Sequence, residues 1–367
     1  MPLSRLDFKG VRNLEETSLR ALGQINLIVG ANGSGKTSLL ECIYLLGMAR
    51  SFRSAHIRNV IQHGADTATV YGEVQSEQGV GRKLGVSRDR TGDLDARLDG
   101  QRLNSRSDLA EALPLQLIDT DSFTLLTEGP RYRRQFLDWG VFHVEHQFFS
   151  AWQRFQRAIK QRNTLLRHGK ISDLSLAPWE AEMAEAGSQI HEARMRYLER
   201  LTPGFHAVIQ RIAPDLGTVD LSYRPGWDIQ LDLGSALEKN RQSDAQQGFT
   251  QVGPQRADIR ILSEGKVAAE VLSRGQQKLV VCALKLAQGK IASEGGQQAI
   301  FLVDDLSAEL DERHYRLVAG ELLGFEAQLF VTSIEDSQAL DVWRQPQTGD
   351  WQMFHVEHGH IEQVARS

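Results

Sequence analysis

One short stretch near the start of the chain combines glycines, a lysine and a hydroxyl group at the spacing that binds nucleotide phosphates. Residues 30–37 read Gly-Ala-Asn-Gly-Ser-Gly-Lys-Thr and fit the pattern GxxxxGK[ST] in full. Glycines let backbone N–H groups converge on phosphate oxygens, and the N-terminus of a following helix attracts the same anion. In such a loop Lys36 neutralises the β- and γ-phosphates and the Thr37 hydroxyl binds Mg²⁺. The predicted nucleotide-binding residues are Gly30, Ala31, Asn32, Gly33, Ser34, Gly35, Lys36, Thr37 and Ser38.

A pair of carboxylates follows an apolar run far along the chain. Residues 299–305 read Ala-Ile-Phe-Leu-Val-Asp-Asp, which predicts a buried parallel strand ending at Asp304 and Asp305. Open α/β sheets bind ligands at this end of their strands, and a phosphate-binding loop needs a carboxylate there to direct Mg²⁺. We expect Asp304 to hold the magnesium through water and Asp305 to polarise the attacking water. Asp305 and Lys36 are the predicted catalytic residues.

The segments around these residues indicate an α/β fold whose two parts are separated in sequence. Residues 25–29 predict a strand before the glycine loop and residues 38–48 a helix after it. Beyond the acidic strand, residues 311–324 predict a helix, residues 327–333 a buried strand and residues 351–364 a closing hairpin around Gly359. Lys36 and Asp304 lie 268 positions apart. The intervening chain begins with short strand-like runs and then becomes mostly helical. Pro178, Pro203 and Pro214 are expected to interrupt the helices of this region. We predict three regions, namely the N-terminal half of an ATPase head at 1–125, an inserted and mainly helical arm domain at 126–245, and the C-terminal half of the head at 246–367.

Composition and charge restrict the class of protein. Hydrophobic residues make up 41% of the 367 residues and charged residues 24%, which is typical of globular proteins. The formal net charge is -5, so any nucleic-acid surface must be a local patch. The chain begins without a long apolar run, and its apolar stretches have the length of strands or are broken by charges. We therefore expect neither a secretory signal nor a membrane span.

A third segment precedes the acidic strand and opens a helix pattern. Ser273-Arg274-Gly275-Gln276-Gln277 resembles the signature motif of ABC-type ATPases, in which SGGQ-like residues are usual. Taken alone, it equally fits an N-cap at the start of a helix. The resemblance implies that this segment binds the γ-phosphate of ATP held by a second subunit. It also makes residues 307–311 a D-loop, in which Asp311 is the candidate site residue.

The order of several blocks is similar to that of the RecF family of DNA replication and repair proteins. These blocks are FKGVRN, GANGSGKTSLLECIYLLGMARSFR, GPRYRRQFLDWGVFH, GPQRADIRI, LSRGQQKLVVCALKLAQGK and FLVDDLSAELD. The resemblance covers the whole chain, including the predicted insertion. It implies a split ABC-type P-loop ATPase head, with a mixed sheet and a strand-rich flank, and a helical arm without a long coiled coil.

The resemblance also implies a function and partners. Such a protein binds double-stranded or gapped DNA in an ATP-dependent manner, dimerises on ATP, and acts with RecO and RecR to place RecA. It serves recombinational repair, replication and the SOS response, and is a cytoplasmic, nucleoid-associated protein with ATP and Mg²⁺ as ligands.

Further site residues follow from related ATPase heads. Arg12, in FKGVRN, is expected to face the nucleotide, and Gln116 to sense the magnesium. A surface position is the alternative for Arg12. Two departures from transporter-type sites predict slow hydrolysis. Asp305 replaces a longer glutamate. The switch histidine is absent from the run that ends at Ser333, and Ser333 is the residue predicted at the switch position.

Basic residues concentrate in two places that suggest DNA contacts. Residues 131–170 contain nine Lys or Arg residues but only two acidic residues, and aromatic residues lie between them in the sequence. Phosphate contacts need no base specificity, so this patch is a candidate DNA surface, although an ordinary solvated helix face is the alternative. A second cluster follows the P-loop helix. The candidate DNA residues are Arg53, Arg58, Arg131, Arg133, Arg134 and Lys160.

Three other classes of protein fit the phosphate-binding loop less well. The ATPase subunit of an ABC transporter is disfavoured by the long separation of its motifs and by the missing histidine. An SMC-type head of a longer bridging machine is disfavoured because no sustained heptads are seen. A metabolic P-loop kinase would have no use for the signature segment.

Overall fold

The protein divides into two compact units that cut across the sequence order. The computed structural model describes residues 2–75, 81–103, 105–167, 173–294, 299–325, 327–334, 338–344 and 350–364. The first unit contains Met1–Ser122, Arg211–Ala213 and Lys278–Ser367. The second contains Phe123–Gln210 and Pro214–Gln277. The two ends of the chain therefore fold together in the first unit.

A six-stranded sheet is the centre of the first unit. Its spatial order is β15-β14-β3-β13-β12-β8. These strands are β3 (Ile25–Val29), β8 (Leu115–Ile118), β12 (Ile300–Val303), β13 (Gln328–Ser333), β14 (Trp351–Glu357) and β15 (His360–Val364). All neighbouring pairs are parallel except β14 and β15, which form the predicted closing hairpin. Strands β3, β12 and β13 are buried throughout, as expected for parallel strands covered on both faces.

A second six-stranded sheet, entirely antiparallel, accounts for the predicted strand-rich flank. Its order is β2-β1-β4-β5-β6-β7. These strands are β1 (Leu3–Lys9), β2 (Thr17–Arg20), β4 (Thr67–Gln75), β5 (Gly81–Asp89), β6 (Leu94–Leu98) and β7 (Gln101–Arg102). Burial alternates along β4, so one face of this sheet packs on the core and the other meets solvent.

Helix α1 (Lys36–Met48) joins the two sheets of the first unit. It packs against β4 and β5 of the antiparallel sheet and against β13 of the parallel sheet. Ten of its thirteen residues are buried, among them Leu39, Leu40, Ile43, Leu45 and Leu46. A helix that is apolar all round is buried all round, and this burial fixes the phosphate-binding loop that precedes it.

The first unit contains further helices, some before the acidic strand β12 and some after it. They are α2 (Arg106–Ala112), α9 (Arg274–Glu294), α10 (Leu306–Glu309) and α11 (Glu312–Leu323). The first turn of α9 belongs to the second unit and its remainder to the first. Gly289 of α9 lies so close to the Phe301 ring that an added Cβ would stand 2.1 Å from it.

The second unit is mainly helical but also contains a small sheet. Its helices are α3 (Thr124–Thr127), α4 (Pro130–Val144), α5 (Phe148–Arg167), α6 (Asp173–Ile212), α7 (Leu233–Gln247) and α8 (Ala268–Val271). Strands β9 (Val219–Arg224), β10 (Asp258–Ser263) and β11 (Lys266–Val267) pair in the order β11-β10-β9. Because β10 pairs with β9 and packs on α4, this unit extends to Gln277, whereas the sequence placed its end at 245.

Two details of the second unit depart from the sequence-based reading. Helix α6 runs for 40 residues through both Pro178 and Pro203, which were expected to interrupt it. Arg162, counted among the basic residues of a DNA surface, is fully buried. Its guanidinium donates to the carboxylates of Glu180 at 3.0 Å and Asp244 at 2.7 Å.

In the part of the chain that the structure describes, no helix combines the length and the apolar character needed to cross a membrane.

Candidate nucleotide-binding site

The predicted phosphate-binding loop lies between the end of β3 and the start of α1. Gly33 and Gly35 have φ angles of +80° and +125°, which residues with a Cβ rarely adopt. At Gly30 an added Cβ would stand 2.2 Å from the Val356 carbonyl oxygen. The loop is tied to its surroundings, since the Ser34 carbonyl accepts hydrogen bonds from the Asn13 amide and from the Gly359 N–H. The sequence prediction of strand, glycine loop and helix is confirmed.

Lys36 lies at the first position of α1 and is largely buried. Its Nζ donates to the carbonyl oxygens of Gly30 at 2.8 Å and Ala31 at 2.9 Å. Burial lowers the pKa of Lys36, and the nearby Asp305 and Asp304 carboxylates oppose that shift. The ammonium therefore lies inside the loop with two carboxylates opposite, where it can meet the phosphates of a nucleotide.

Asp304 meets the loop across the sheet, as the sequence predicted. The Thr37 Oγ1 donates to the Asp304 Oδ1 at 3.1 Å, although the two residues are 267 positions apart. Burial raises the pKa of Asp304, while hydrogen bonds from Thr332 and Thr37 and the charge of Arg53 lower it. A hydroxyl and a carboxylate side by side are ligands that Mg²⁺ uses together with substrate phosphates.

Thr332 is a site residue that the sequence analysis missed. Its Oγ1 donates to Asp304 Oδ1 at 2.8 Å and accepts the N–H of Asp305 at 2.9 Å. Thr332 lines the cavity next to Asp304, whereas the predicted Ser333 does not. Ser333 ends β13, and its buried hydroxyl has no hydrogen-bond partner among the described residues. The position of Thr332 near the carboxyl end of its strand could have identified it, because the carboxyl ends of neighbouring parallel strands meet at one edge of the sheet.

Asp305 occupies a strained and partly buried position. Its φ is +49°, in the left-handed region, and it precedes α10. Burial raises the pKa of Asp305, the Lys36 ammonium lowers it, and the Glu309 carboxylate raises it further. A carboxylate held in a sparsely populated backbone conformation next to a phosphate loop has the character of a functional group.

An open cavity of about 590 Å³ extends from the loop. It is large enough for a nucleotide, since small-molecule sites typically measure roughly 300–1,000 Å³. The Ser34 hydroxyl beside it is buried and has no hydrogen-bond partner among the described residues, which fits a phosphate oxygen as its missing partner. The cavity is lined by Arg12, Asn13, Asn32, Gly33, Gly35, Lys36, Thr37, Ser38, Arg53, Asn59, Ile61, His63, Asp304, Asp305 and Thr332.

Other residues of this lining correct or extend the site predicted from the sequence. Arg12 is in the lining, as expected for a residue that faces the nucleotide. Arg53 was predicted to contact DNA, but it lies in the same lining. Asn59, Ile61 and His63 were not predicted, and no recognisable motif marks them. They come close to Arg12 because its N–H donates to the Val60 carbonyl.

Gln116 does not reach the nucleotide site, and its predicted role as the magnesium sensor is wrong. It lies in β8 and is 2% exposed. Its amide donates to the Lys285 carbonyl at 3.1 Å and to the Gln288 side chain at 3.0 Å, both on α9. Alternation along the strand turns this side chain toward the helix, so it holds α9 against the sheet.

The signature and D-loop residues adopt the caps that their sequences suggest. Ser273 Oγ accepts the N–H of Gln276 at 3.3 Å, and the Gln276 side chain accepts the N–H of Ser273 at 2.9 Å. This reciprocal pair is a capping box. Ser273, Arg274 and Gly275 are exposed, and none of the five signature residues lines the cavity. Asp311 caps α11 through the His314 N–H at 3.0 Å. Their roles toward a second subunit stay predictions.

Several arginines in the predicted DNA patch are already engaged within the second unit. Arg133 forms an ion pair with Asp258 at 2.8 Å, and Arg134 donates to the Ala257 carbonyl at 2.7 Å. These two side chains hold α4 to the start of β10, so we withdraw them as DNA contacts. Of the other candidates, Arg58, Arg131 and Lys160 are exposed outside the cavity lining, whereas Arg53 is exposed within it.

The chain is similar to known proteins over nearly its whole length. The family described as RecF/RecN/SMC N terminal domain matches residues 2–349. DNA replication and repair protein RecF of Azotobacter vinelandii is 48% identical over 364 residues, which is 99% of this chain and 99% of that protein. The protein of the same name from Stutzerimonas stutzeri is 49% identical over 365 residues, covering 99% of this chain and 98% of the relative.

Solved structures resemble the fold over its full length. A structure described as the recombination mediator protein RecF-ATP in the RecFOR pathway superposes with a TM-score of 0.88 at 26% identity, covering 99% of this chain and 97% of that one. An Smc head domain from Pyrococcus furiosus gives a TM-score of 0.61 at 19% identity, covering 100% of this chain and 96% of that one. The second likeness concerns the fold alone.

Proposed function

The chain belongs to the RecF family, within the group of RecF, RecN and SMC N-terminal domains, and on this basis we propose that it is an ATP-dependent DNA-binding protein of recombinational repair and replication. The observation that carries the proposal is the hydrogen bond between Thr37 and Asp304. It joins the phosphate-binding loop to the acidic strand in one site.

ATP is the proposed ligand of the cavity, and the loop supplies its phosphate contacts. Lys36 lies among loop carbonyls and can exchange these for phosphate oxygens without leaving its place. The Ser34 hydroxyl and the loop N–H groups provide further donors. Thr37 and Asp304 would hold Mg²⁺, which neutralises phosphate charge when bound.

Hydrolysis is assigned to Asp305, which we propose orients the attacking water and accepts its proton. Its carboxylate lies near Lys36, and burial favours the protonated form because it raises the pKa. A short carboxylate and the absence of a histidine at the end of β13 favour slow turnover. Slow hydrolysis suits a switch that releases DNA more than it suits a metabolic enzyme.

ATP is also the proposed link between two copies of the chain. Ser273, Arg274 and Gly275 are exposed at the start of α9, and no residue of Ser273–Gln277 lines the cavity of its own chain. We assign this segment to the γ-phosphate of ATP in a second copy, so that ATP stabilises a homodimer by mass action. Hydrolysis would then open the dimer.

DNA and the mediators RecO and RecR are the proposed partners. A relative of known structure is described as a recombination mediator of the RecFOR pathway, with ATP. We propose that the closed dimer holds double-stranded or gapped DNA and supports RecA loading, as a nucleoid-associated protein. The exposed basic residues Arg58, Arg131 and Lys160 are candidates for phosphate contacts.

Retention on gapped duplex DNA tests this function. With Mg-ATP the protein should be retained on DNA, and Lys36→Ala should remove both ATP binding and this retention. Charged hydrogen bonds contribute about 1.5–3 kcal/mol each, so loss of two should weaken ATP binding at least 100-fold. Lys290→Ala, which changes an exposed lysine of α9, is the matched control and should behave as wild type. Retention that is equal with and without ATP would contradict the proposal.

A further inference from the structure

One carboxylate that contacts two lining residues of the cavity has no part in the mechanism described so far. Glu41 lies on α1, five residues after Lys36, and is fully buried. Buried carboxylates are costly unless they are paired and hydrogen-bonded, so its partners indicate its purpose. Those partners belong to segments that contribute residues to the cavity lining.

Arg12 is the principal partner of Glu41. Its Nε donates to Oε2 at 2.7 Å and its Nη2 donates to Oε1 at 2.8 Å, which is a two-point ion pair. The remaining Nη1 donates to the Asn59 carbonyl at 2.6 Å. Arg12 also has a φ of +51°, a strained conformation for a residue with a side chain. Glu41 thus fixes an arginine that would otherwise have several rotamers.

The second group of partners lies just after α1. The Ser51 hydroxyl donates to Glu41, and the Ser51 Oγ in turn accepts the N–H groups of Arg53 and Ser54, each at 2.9 Å. The Nη1 of Arg53 stands 3.9 Å from Glu41 Oε2, while its side chain stays 46% exposed. One carboxylate therefore holds both Arg12 and the turn that carries Arg53.

We infer that Glu41 is a positioning residue of the nucleotide site, which holds Arg12 and Arg53 toward the polyphosphate of a bound nucleoside triphosphate. The inference rests on the proposed function, because it needs ATP in this cavity. Arg12 and Arg53 both line the cavity, together with residues of the phosphate-binding loop. Glu41 itself is fully buried and does not line the cavity.

The direction of the effect separates positioning from simple electrostatics. Glu41 carries a negative charge next to a site for an anion, so removal of that charge alone would strengthen ATP binding. Loss of positioning acts in the opposite direction, because both arginines would then have to be ordered on binding. Residues that orient the ligands of a metal change metal affinity or activity by about 10–100-fold when they are altered, and we expect an effect at the lower end of that range here.

Glu41→Gln is the first test, with fluorescent ATP titration as the measurement. We expect a roughly tenfold higher Kd for ATP, and a higher KM with little change in kcat, because the arginines face the bound ground state as well as the transition state. Glu321→Gln is the matched control. It alters a mostly buried carboxylate of the first unit that pairs with Arg211 at 2.7 Å, outside the cavity lining, and should leave the Kd unchanged.

A double-mutant cycle shows whether Glu41 acts through Arg12. Arg12→Gln should weaken ATP binding. When Glu41→Gln is added to the Arg12→Gln protein, it should raise the Kd for ATP by a smaller factor than it does in the wild-type protein. Full additivity would overturn the inference. A merely structural role would lower the unfolding temperature without changing the Kd of the folded protein.

Glu41→Asp keeps the test decisive if Glu41→Gln does not fold. It preserves the charge but shortens the side chain. A positioning role therefore predicts weaker ATP binding, whereas a purely electrostatic role predicts no change in ATP binding. Equal or tighter binding by a folded Glu41 variant would overturn the inference. If wild-type protein itself failed to bind ATP while Lys36→Ala behaved identically, the proposed function would fail and not merely the role of Glu41.

Discussion

The Asp305 carboxylate lies between an ammonium group and another carboxylate. Lys36 stabilises its ionised form, while burial and Glu309 disfavour it, with burial as the largest cause. A general base must be ionised to accept a proton, so its pKa sets the lower limit of the pH range in which the enzyme turns over.

The pH dependence of ATP hydrolysis follows from that environment. Since the pKa of Asp305 is raised, kcat should fall on acidification at a higher pH than an ordinary aspartate would give. Glu309→Gln removes one cause of the shift and should move this fall to lower pH. Asp305→Asn should retain ATP binding and lose turnover. Rates measured from about pH 4.5 to 8 test this, and a fall that stays in place or moves to higher pH in Glu309→Gln would contradict it.

The spacing of residue types was enough to predict the phosphate side of the site. Lys36, Thr37 and Asp304 come together because a glycine loop and an acidic strand end each carry a strong local pattern. Thr332 and Gln116 carry no such pattern. Their roles depend on which strand neighbours β12 and on which way each side chain points, and only the folded sheet decides that.

Charge was less informative than spacing. Arg53 was counted as a DNA residue because it follows the P-loop helix in sequence, yet it lines the nucleotide cavity. Arg162 finds its partners 18 and 82 positions away, and Arg133 finds its partner 125 positions away. Pairing at such separations leaves no periodic signal, so a sum of charges overestimated the basic surface.

Helix α9 lies so close to β12 that a side chain is excluded between them. At Gly289 an added Cβ would stand 2.1 Å from the buried Phe301 ring. Gly320 on α11 is exposed and has no atom within 4 Å of an added Cβ. Two glycines within helices of the first unit thus have opposite surroundings.

Alanine at these two glycines should therefore change stability in opposite directions. Gly289→Ala should destabilise the protein, because overpacking costs about 1–3 kcal/mol and exceeds the gain in helix propensity of about 1 kcal/mol. Gly320→Ala should stabilise it by about 0.5–1 kcal/mol, since only that gain applies. Urea unfolding of both variants measures this. Equal stabilisation by both would show that α9 can move away from β12 at little cost.

The helices and strands themselves were largely predictable, and their grouping was not. The patterns around 25–48 and 299–333 predicted β3, α1, β12, α11 and β13 correctly. Helix α6 continues through two prolines, against the local expectation, because its buried face packs within the second unit. In such a long helix, tertiary packing outweighs the helix-breaking preference of individual prolines.

The boundaries between the two units differ from those predicted from the sequence patterns. Residues 246–277 look like a return to the ATPase head, but β10 pairs with β9 and therefore belongs to the second unit. Sequence periodicity identifies a strand without identifying its partner. The first unit nevertheless unites both ends of the chain, as the separation of Lys36 and Asp304 predicted.

The most direct test of ATP-dependent pairing is light scattering of Asp305→Asn protein with and without Mg-ATP. We predict a 41.1 kDa monomer that doubles in mass only with ATP. Ser273→Arg in the same background should bind ATP and stay monomeric. An unchanged mass with ATP demonstrably bound would show that ATP does not pair two copies of the chain, and that Ser273–Gln277 only caps a helix.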